Sequence, residues 1–256
     1  MRILVIGDVV GKRAVGYLSE KLWEYRNKTG ADLVIANGEN ACDIHGISVD
    51  EADALFGAGV DVITGGNHSF RRRDIHAYME NRDKLLRPAN YPAASPGSGY
   101  TVVNIDGWRV LVINVMGTTF MEPLACPFEC VDRILSREEG RYDVSVLDIH
   151  AEATSEKIAL GYYFDGRINL VFGTHTHVAT ADERVLDGGT AYITDVGMTG
   201  PVDGVLGAKK EDVICKLKDR MPAQLSVADG SIKANGIIAE IDPSAKKALS
   251  IKRISF

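Results

Sequence analysis

Cysteine is scarce. The four in these 256 residues, Cys42, Cys126, Cys130 and Cys215, contain no CxxC pair and match no zinc-knuckle spacing, which points to reduced thiols in an intracellular protein. Cys126 and Cys130 are spaced to share one helix face, with Pro127 between them at the helix start. A long apolar run is missing as well. The opening Met1-Arg2-Ile3-Leu4-Val5-Ile6-Gly7-Asp8 meets an acid too early for a signal peptide, and no later run reaches spanning length. Positive charge is in deficit: 35 Asp and Glu against 29 Lys and Arg give a formal net charge of -6. That balance argues against broad, non-specific adhesion to nucleic acid or an anionic bilayer and leaves room only for a local basic pocket. The expectation is a soluble cytoplasmic protein forming one domain over residues 1–256, long enough to bury a core without disulfides. A homo-oligomer is left open, and there is no internal repeat or low-complexity tail.

What the chain does contain is short, nearly continuous Val- and Ile-rich runs. Ile3 to Ile6, Leu33 to Ala36, Val60 to Thr64, Val110 to Val115, Val144 to Ile149 and Leu170 to Phe172 read as buried strands. Between the first two, Val15, Leu18, Leu22 and Tyr25 recur at helical spacing. Ser48 and Glu51 form a capping-box pattern at the start of a second helix. The order strand, helix, strand, helix, strand predicts a parallel α/β beginning. A turn-rich connection follows through Pro88, Pro92, Pro96, Gly97 and Gly99. Tyr100 to Ile105 and Trp108 to Val115, joined by Asp106-Gly107, then form a hairpin. Beyond His177 strands and turns dominate, with one helix near Glu211 to Lys218 and closing strands at Ile232 to Ile241 and Ala248 to Ile254. Two sheets flanked by helices fit this order better than one open sheet.

The polar residues fall just past the carboxyl ends of these runs. Asp8, Glu39-Asn40, Asn67-His68, His150, and His175 with His177 each follow an apolar segment, and in an α/β sheet such ends share one edge. Each has a plainer explanation on its own: Asp8 as a helix cap, Glu39 and Asn40 as turn formers, Asn67 in a left-handed turn beside Gly65-Gly66, His150 as a bonded loop histidine. If the backbone is extended, His175 and His177 project to the same side. His76 reads as an exposed helical residue, and His45 sits in a loop from which it can reach a pocket; both stay outside the candidate set. Together, four of the six histidines with Asp, Glu and Asn at aligned strand ends indicate a metal site. Imidazole with carboxylate suits Fe, Mn, Co, Ni or Zn. The donors outnumber what one tetrahedral ion needs, whereas two ions sharing a carboxylate would use them and could place a hydroxide in line with phosphorus.

These residues, in this order, resemble the calcineurin-like metallophosphoesterases. The closer resemblance is to the bacterial YmdB-like branch, carried by Gly7 to Gly11, Asn37 to Asn40, Arg87 to Asn90, His150 to Lys157 and Tyr192 to Pro201, blocks that span most of the chain. It implies an α/β fold, a four-layer α-β-β-α sandwich with two central mixed β-sheets, and a dinuclear site. It also implies that Asp8, Glu39, Asn40 and His177 hold one metal, that Glu39, Asn67, His150 and His175 hold the other with Glu39 as bridge, and that His68 contacts phosphate or protonates the leaving oxygen. Two departures stand out. The broad superfamily has a histidine two residues after its first aspartate where this chain has Val10; the branch shares that change, with Asn40 as compensating ligand, and the oxygen donor favours Mn or Fe over softer metals. Second, Asn67-His68-Ser69-Phe70 runs into Arg71-Arg72-Arg73 instead of an acid, giving either a solvated helix start or a group of phosphate-attracting cations.

The resemblance therefore implies a phosphodiesterase using two divalent or mixed-valence transition-metal ions, Fe or Mn, on small phosphodiesters such as 2′,3′-cyclic nucleotides. A phosphomonoesterase is the alternative within enzymes. A regulatory or interaction protein linked to RNA turnover, its metal site largely structural, is the alternative outside them. A dinucleotide-binding Rossmann protein is disfavoured because the first turn lacks GxGxxG.

Overall fold

The computed structural model describes residues 1–256. In chain order the first half holds β1 (Arg2–Ile6), β2 (Asp8–Val9), α1 (Gly11–Thr29), β3 (Leu33–Asn37), α2 (Val49–Gly57), β4 (Val62–Thr64), α3 (Asp74–Glu80), β5 (Tyr100–Ile105), β6 (Trp108–Met116) and α4 (Pro127–Arg137). The second half holds β7 (Val144–His150), α5 (Thr154–Tyr163), β8 (Leu170–Thr174), β9 (Arg184–Val185), β10 (Ala191–Ile193), β11 (Met198–Pro201), α6 (Lys210–Lys218), β12 (Ile232–Lys233), β13 (Asn235–Asp242) and β14 (Lys247–Ser255).

Two large mixed sheets result. One has the order β14-β13-β1-β3-β4 and the other β5-β6-β7-β8-β10-β9. In the first, β1, β3 and β4 run parallel while β13 pairs antiparallel with both β1 and β14. In the second, β6, β7, β8 and β10 are parallel and the edge strands β5 and β9 antiparallel. The Asp106-Gly107 turn closes the β5–β6 hairpin with both residues at positive φ, 50° and 88°, the geometry a two-residue hairpin loop demands. A small third sheet, β12-β11-β2, was not anticipated from the apolar runs. It arises because the two-residue β2 carries Asp8 across to pair with Met198, a pairing between residues far apart in the chain.

Strand alternation explains why the runs are apolar throughout. Ile3 and Val5 of β1 pack with Ile35, Val112, Val146 and Phe172 in a cluster drawn from both large sheets. Leu4 and Ile6, pointing the other way, pack with Leu18 and Leu22 of α1 and Leu55 of α2. On the second sheet Leu111, Ile113 and Leu147 face Val131 and Ile134 of α4 and Leu160 of α5. Each fully buried Leu or Ile contributes about 1.5–3 kcal/mol of transfer free energy, so a strand covered on both faces holds few polar side chains before its end, and those of β7, Ser145 and Asp148, are hydrogen-bonded. The helices start and stop where their sequences require. Ser48 and Glu51 form the reciprocal capping box of α2, Pro127 opens α4, and Gly30 ends α1 in a left-handed conformation. Val60 belongs to the turn after α2, its N–H bonded to Leu55 O at 3.1 Å, so β4 starts later than its apolar run.

Candidate metal centre

Because β1, β3, β4, β7 and β8 end along one edge, the residues after them converge from both large sheets. Asp8, Glu39, Asn40 and His150 are 0–3% exposed, and Asn67, His68, His175 and His177 are half-buried. Such close approach needs missing side chains. A Cβ on Gly66 would lie 2.3 Å from both Glu39 Oε2 and His150 Nε2, so any larger residue there would displace the carboxylate or the ring.

The donors fall into two groups joined by Glu39. In one, His150 Nε2 lies 3.2 Å from Glu39 Oε1, 3.0 Å from Asn67 Oδ1 and 3.0 Å from His175 Nδ1. Glu39, His150 and His175 offer ligand atoms all within 4.8 Å of one another. In the other, Asn40 Nδ2 is 3.2 Å from His177 Nε2 and 3.1 Å from Glu39 Oε1, while Asp8 Oδ1 stands 3.8 Å from His177 Nε2. All seven candidate ligands are thus brought together. His68 sits at the rim: its N–H donates to Glu39 Oε2 at 3.0 Å, and its Nε2 lies 3.2 Å from Asn67 Nδ2.

The outward nitrogen of each histidine has a partner that fixes the proton there. Thr174 Oγ1 donates to Asp148 Oδ1 at 2.8 Å, so toward His150 Nδ1, 2.9 Å away, it accepts. His175 Nε2 faces the Glu152 carboxylate at 3.1 Å, and His177 Nδ1 faces the Leu206 carbonyl at 3.0 Å. Acceptor-only partners place N–H on these outer atoms, which leaves His150 Nε2, His175 Nδ1 and His177 Nε2 turned inward as ligand atoms.

Electrostatics tighten the picture. Burial alone would raise Glu39, but the charge and hydrogen bond of His150, with help from His68, hold its carboxyl at about 2. Burial works against a charged His150, yet Glu39, Asp8 and Asp148 together push it up to about 9. Burial and the neighbouring His150 charge drive His175 down to about 3. One proton is thus held between Glu39 and His150 where a crowd of lone pairs would otherwise repel, and a cation would serve the same purpose.

The residues fit a metal on an independent observation. Asp8 Oδ1 and Asn40 Oδ1 are buried oxygens without any hydrogen-bond partner, and leaving such groups unmatched costs about 1–3 kcal/mol each, more for a charge. Both belong to the candidate set, and an oxophilic cation would satisfy both. The mixed imidazole, carboxylate and amide-oxygen donors suit first-row transition metals of borderline character. Val10 is fully buried and pairs with Asn40 through a parallel bridge, so the backbone beside Val10 positions Asn40.

An extended His175-Thr176-His177 segment is not what the structure contains. Strand β8 stops at Thr174, and His175 and His177 take positive φ values of 96° and 63°, uncommon for non-glycine residues. The loop is held by its surroundings. His175 N–H donates to Asp8 Oδ2 at 3.1 Å, and Thr176 Oγ1 and N–H donate to Asp195 Oδ2 at 2.7 and 3.2 Å. Asp195 is in turn paired with Lys157 at 2.7 Å, both side chains at most 1% exposed.

Sequence reasoning missed these supports. Asp148, Thr174 and Asn37, whose amide donates to Asp148 Oδ2 at 3.2 Å and Thr174 Oγ1 at 3.3 Å, lie inside or at the ends of apolar runs and gave no separate signal, although a polar residue in a strand buried on both faces is itself a cue. His45 packs against His68 with ring centroids 4.2 Å apart and ring planes tilted by 42°. His76 is in α3 as expected but half-buried, with Nε2 3.1 Å from Phe70 O. No helix is long and apolar enough to cross a membrane.

The chain is similar to known proteins over nearly its whole length. The family described as YmdB-like protein matches residues 4–254. A Bacillus subtilis (strain 168) protein named 2′,3′-cyclic-nucleotide 2′-phosphodiesterase is 44% identical, over 99% of this chain and 96% of its own. A crystal structure of a hypothetical protein from Thermus thermophilus superposes with a TM-score of 0.94 at 37% identity, covering 100% of this chain and 99% of that one. A Mycoplasma pneumoniae structure described as a novel phosphatase gives 0.94 at 33% identity, covering 100% and 93%.

Proposed function

The chain belongs to the YmdB-like family, and from that premise we propose that it is a metal-dependent phosphodiesterase acting on small phosphodiesters, 2′,3′-cyclic nucleotides foremost. The observation that carries the reading is the double donor group around Glu39, with two buried oxygens, Asp8 Oδ1 and Asn40 Oδ1, that nothing in the protein satisfies. The name of the Bacillus subtilis relative supports the substrate class. The reading includes a single four-layer α-β-β-α domain over residues 1–256, supported by three apolar clusters, one between the large sheets and one under each set of helices.

In this reading Asp8, Glu39, Asn40 and His177 hold one metal and Glu39, Asn67, His150 and His175 the other. The amide oxygens of Asn40 and Asn67 favour Mn or Fe. When bound, two such ions supply Lewis acidity at phosphorus and acidify water at neutral pH. The protein's own contribution is placement. The Thr174–Asp148 chain and the Glu152 and Leu206 partners keep three imidazoles in the ligand tautomer, which spares reorganisation when substrate arrives. With its Nε2 accepting from the Asn67 amide, neutral His68 keeps its proton on Nδ1, a donor for a phosphate oxygen or the departing ribose oxygen.

A cavity of about 350 Å³ opens on this edge. Its lining combines polar Glu39, Asn40, His68, His175 and His177 with apolar Val205, Leu206, Val213, Leu217 and Leu225. Polar groups for phosphate beside apolar ones for a nucleoside suit a mononucleotide-sized ligand.

Anaerobic purification with metal analysis, then reconstitution with Mn, Fe, Co, Ni or Zn and assay on cyclic nucleotides, linear diesters and monoesters, tests the reading. We expect about two ions per chain and fastest turnover of 2′,3′-cyclic nucleotides. Full activity in metal-free protein overturns it. A preference for monoesters would reassign the protein as a phosphomonoesterase, and tight partner binding without hydrolysis would favour the regulatory alternative.

A further inference from the structure

Beside the candidate centre lies a second cavity of about 470 Å³, on whose walls Arg71, Arg72 and Lys216 gather with His45. It is contiguous with the first: Ile44, His45, Lys216 and Leu225 line both. His45 packs against His68 with tilted rings, and Arg71 is tied to the same turn, its N–H donating to His68 O at 3.0 Å. The arginine stems are seated closely. Gly46, at φ +84°, lies so near that a Cβ there would be 3.0 Å from both Arg71 Cβ and Arg72 Cγ.

None of the three cations is paired: each side chain is free of salt bridges and of hydrogen bonds within the protein. Asp43 is the one acid lining this cavity, and it is exposed. All three are exposed, and in a chain of net charge -6 their gathering on one concave wall with a single acid gives that wall a local positive field. Burial first, then the Arg71 charge, lowers the His45 pKa against the opposing Glu39 charge, with a smaller contribution from Lys216, so the Arg71 charge is felt at the wall common to both cavities. Guanidinium forks match phosphate oxygens in shape and charge, and an ammonium supplies a point charge beside them.

We propose that Arg71, Arg72 and Lys216 form a subsite for a second phosphate, so that the preferred substrates carry a phosphate on the 5′ side of the reacting cyclic diester. The inference rests on the hydrolytic reading above for the placement of that diester. A ribonucleoside whose 2′ and 3′ oxygens are engaged at the metals has only its 5′ oxygen left to bear another phosphate. Two sources share this chemistry: a 5′-phosphorylated nucleoside 2′,3′-cyclic phosphate and a short oligoribonucleotide ending in the cyclic group.

The test uses Mn-loaded protein and product-like ligands measured by calorimetry: adenosine 3′-phosphate, adenosine 3′,5′-bisphosphate, and the diadenylate ending in a 3′-phosphate. Wild-type protein should bind at least one of the two ligands with a second phosphate about tenfold or more tighter than the monophosphate, as charge-assisted hydrogen bonds predict. Preference for the bisphosphate identifies the mononucleotide source, and preference for the diadenylate the oligonucleotide source. In the R71Q/R72Q variant that ratio should fall to within about twofold, and R71K/R72K should restore part of it. Equal affinities for all three ligands in wild-type protein, or a preference that survives R71Q/R72Q, overturns the inference. A parallel turnover assay on 2′,3′-cyclic AMP separates the two readings: absent turnover with an intact preference removes the hydrolytic reading and leaves the second-phosphate site standing.

Discussion

Strand β7 carries charge at both ends, and the two ends behave oppositely. Just before its start, Asp143 meets Arg109 at 2.8 Å in a bridge whose side chains remain 24% and 45% exposed. At its finish, His150 meets Glu39 at 3.2 Å with side-chain exposures of 0% and 1%. Water screens the first pair and would hydrate either partner alone, so it contributes about 1 kcal/mol or less. No water screens the second, so each group there depends on its neighbours for its protonation state. His150 is the last residue of β7, and burial separates the end whose charged groups depend on one another from the end that water screens.

The largest expected effect comes from the shared carboxylate. Glu39→Gln should lower kcat on 2′,3′-cyclic nucleotides by about 10³-fold or more, with both ions weakened in metal analysis; wild-type rates in this variant would remove Glu39 from the centre. His175→Gln and His177→Gln sharpen the same end. Each should weaken a different ion, by more than the roughly 10–100-fold typical of losing an outer partner, which site-resolved metal titration can read. Loss of the same ion in both variants would break the proposed division.

Asp195→Asn probes the loop under these histidines. It leaves the Lys157 ammonium buried without its carboxylate, so thermal or denaturant unfolding should show a loss of about 3–5 kcal/mol. A change under about 1 kcal/mol would mean that this pair does not hold the loop. Thr174→Val is expected to be milder, keeping the fold and weakening metal retention by about 10–100-fold through the freed His150 ring. At the opposite end of β7, Asp143→Asn should cost only about 0.5 kcal/mol near neutrality. There the Arg109 hydrogen bonds, with its charge, hold the Asp143 carboxyl at about 2, below the unfolded value of about 3.9. Its contribution is therefore present above about pH 4 and fades as pH falls toward 2, so wild type and variant should converge in stability in acid. A difference that persists at about pH 2 would contradict this sign.

Much of the scaffold is legible in local pattern. Six of the strands coincide with Val- and Ile-rich runs, α2 opens on its Ser48–Glu51 box, and the Asp106-Gly107 turn closes the expected hairpin. Small shifts, such as the late start of β4, come from backbone bonding at the end of α2 that hydrophobicity does not register. The candidate ligands are visible for the same reason the strands are: a segment buried on both faces holds few polar side chains, so Asp, Glu, Asn and His gathered at the ends of such segments stand out.

What surrounds those ligands is not legible in that way. The sequence by itself determined the main strands and their order along the chain, and the inventory of donors at their ends, because apolar periodicity and turn chemistry act over a few residues. Only the tertiary structure decided the rest: the left-handed turn at His175 and His177, the Thr174–Asp148, Glu152 and Leu206 partners that set three imidazole tautomers, the Lys157–Asp195 pair beneath the loop, and the basic wall beside His45. Each joins residues at least 23 positions apart or sets a conformation that such contacts hold in place. The free energy of a buried hydrogen bond or ion pair depends on which groups meet and how far water is excluded, and both are fixed only when the sheets pack.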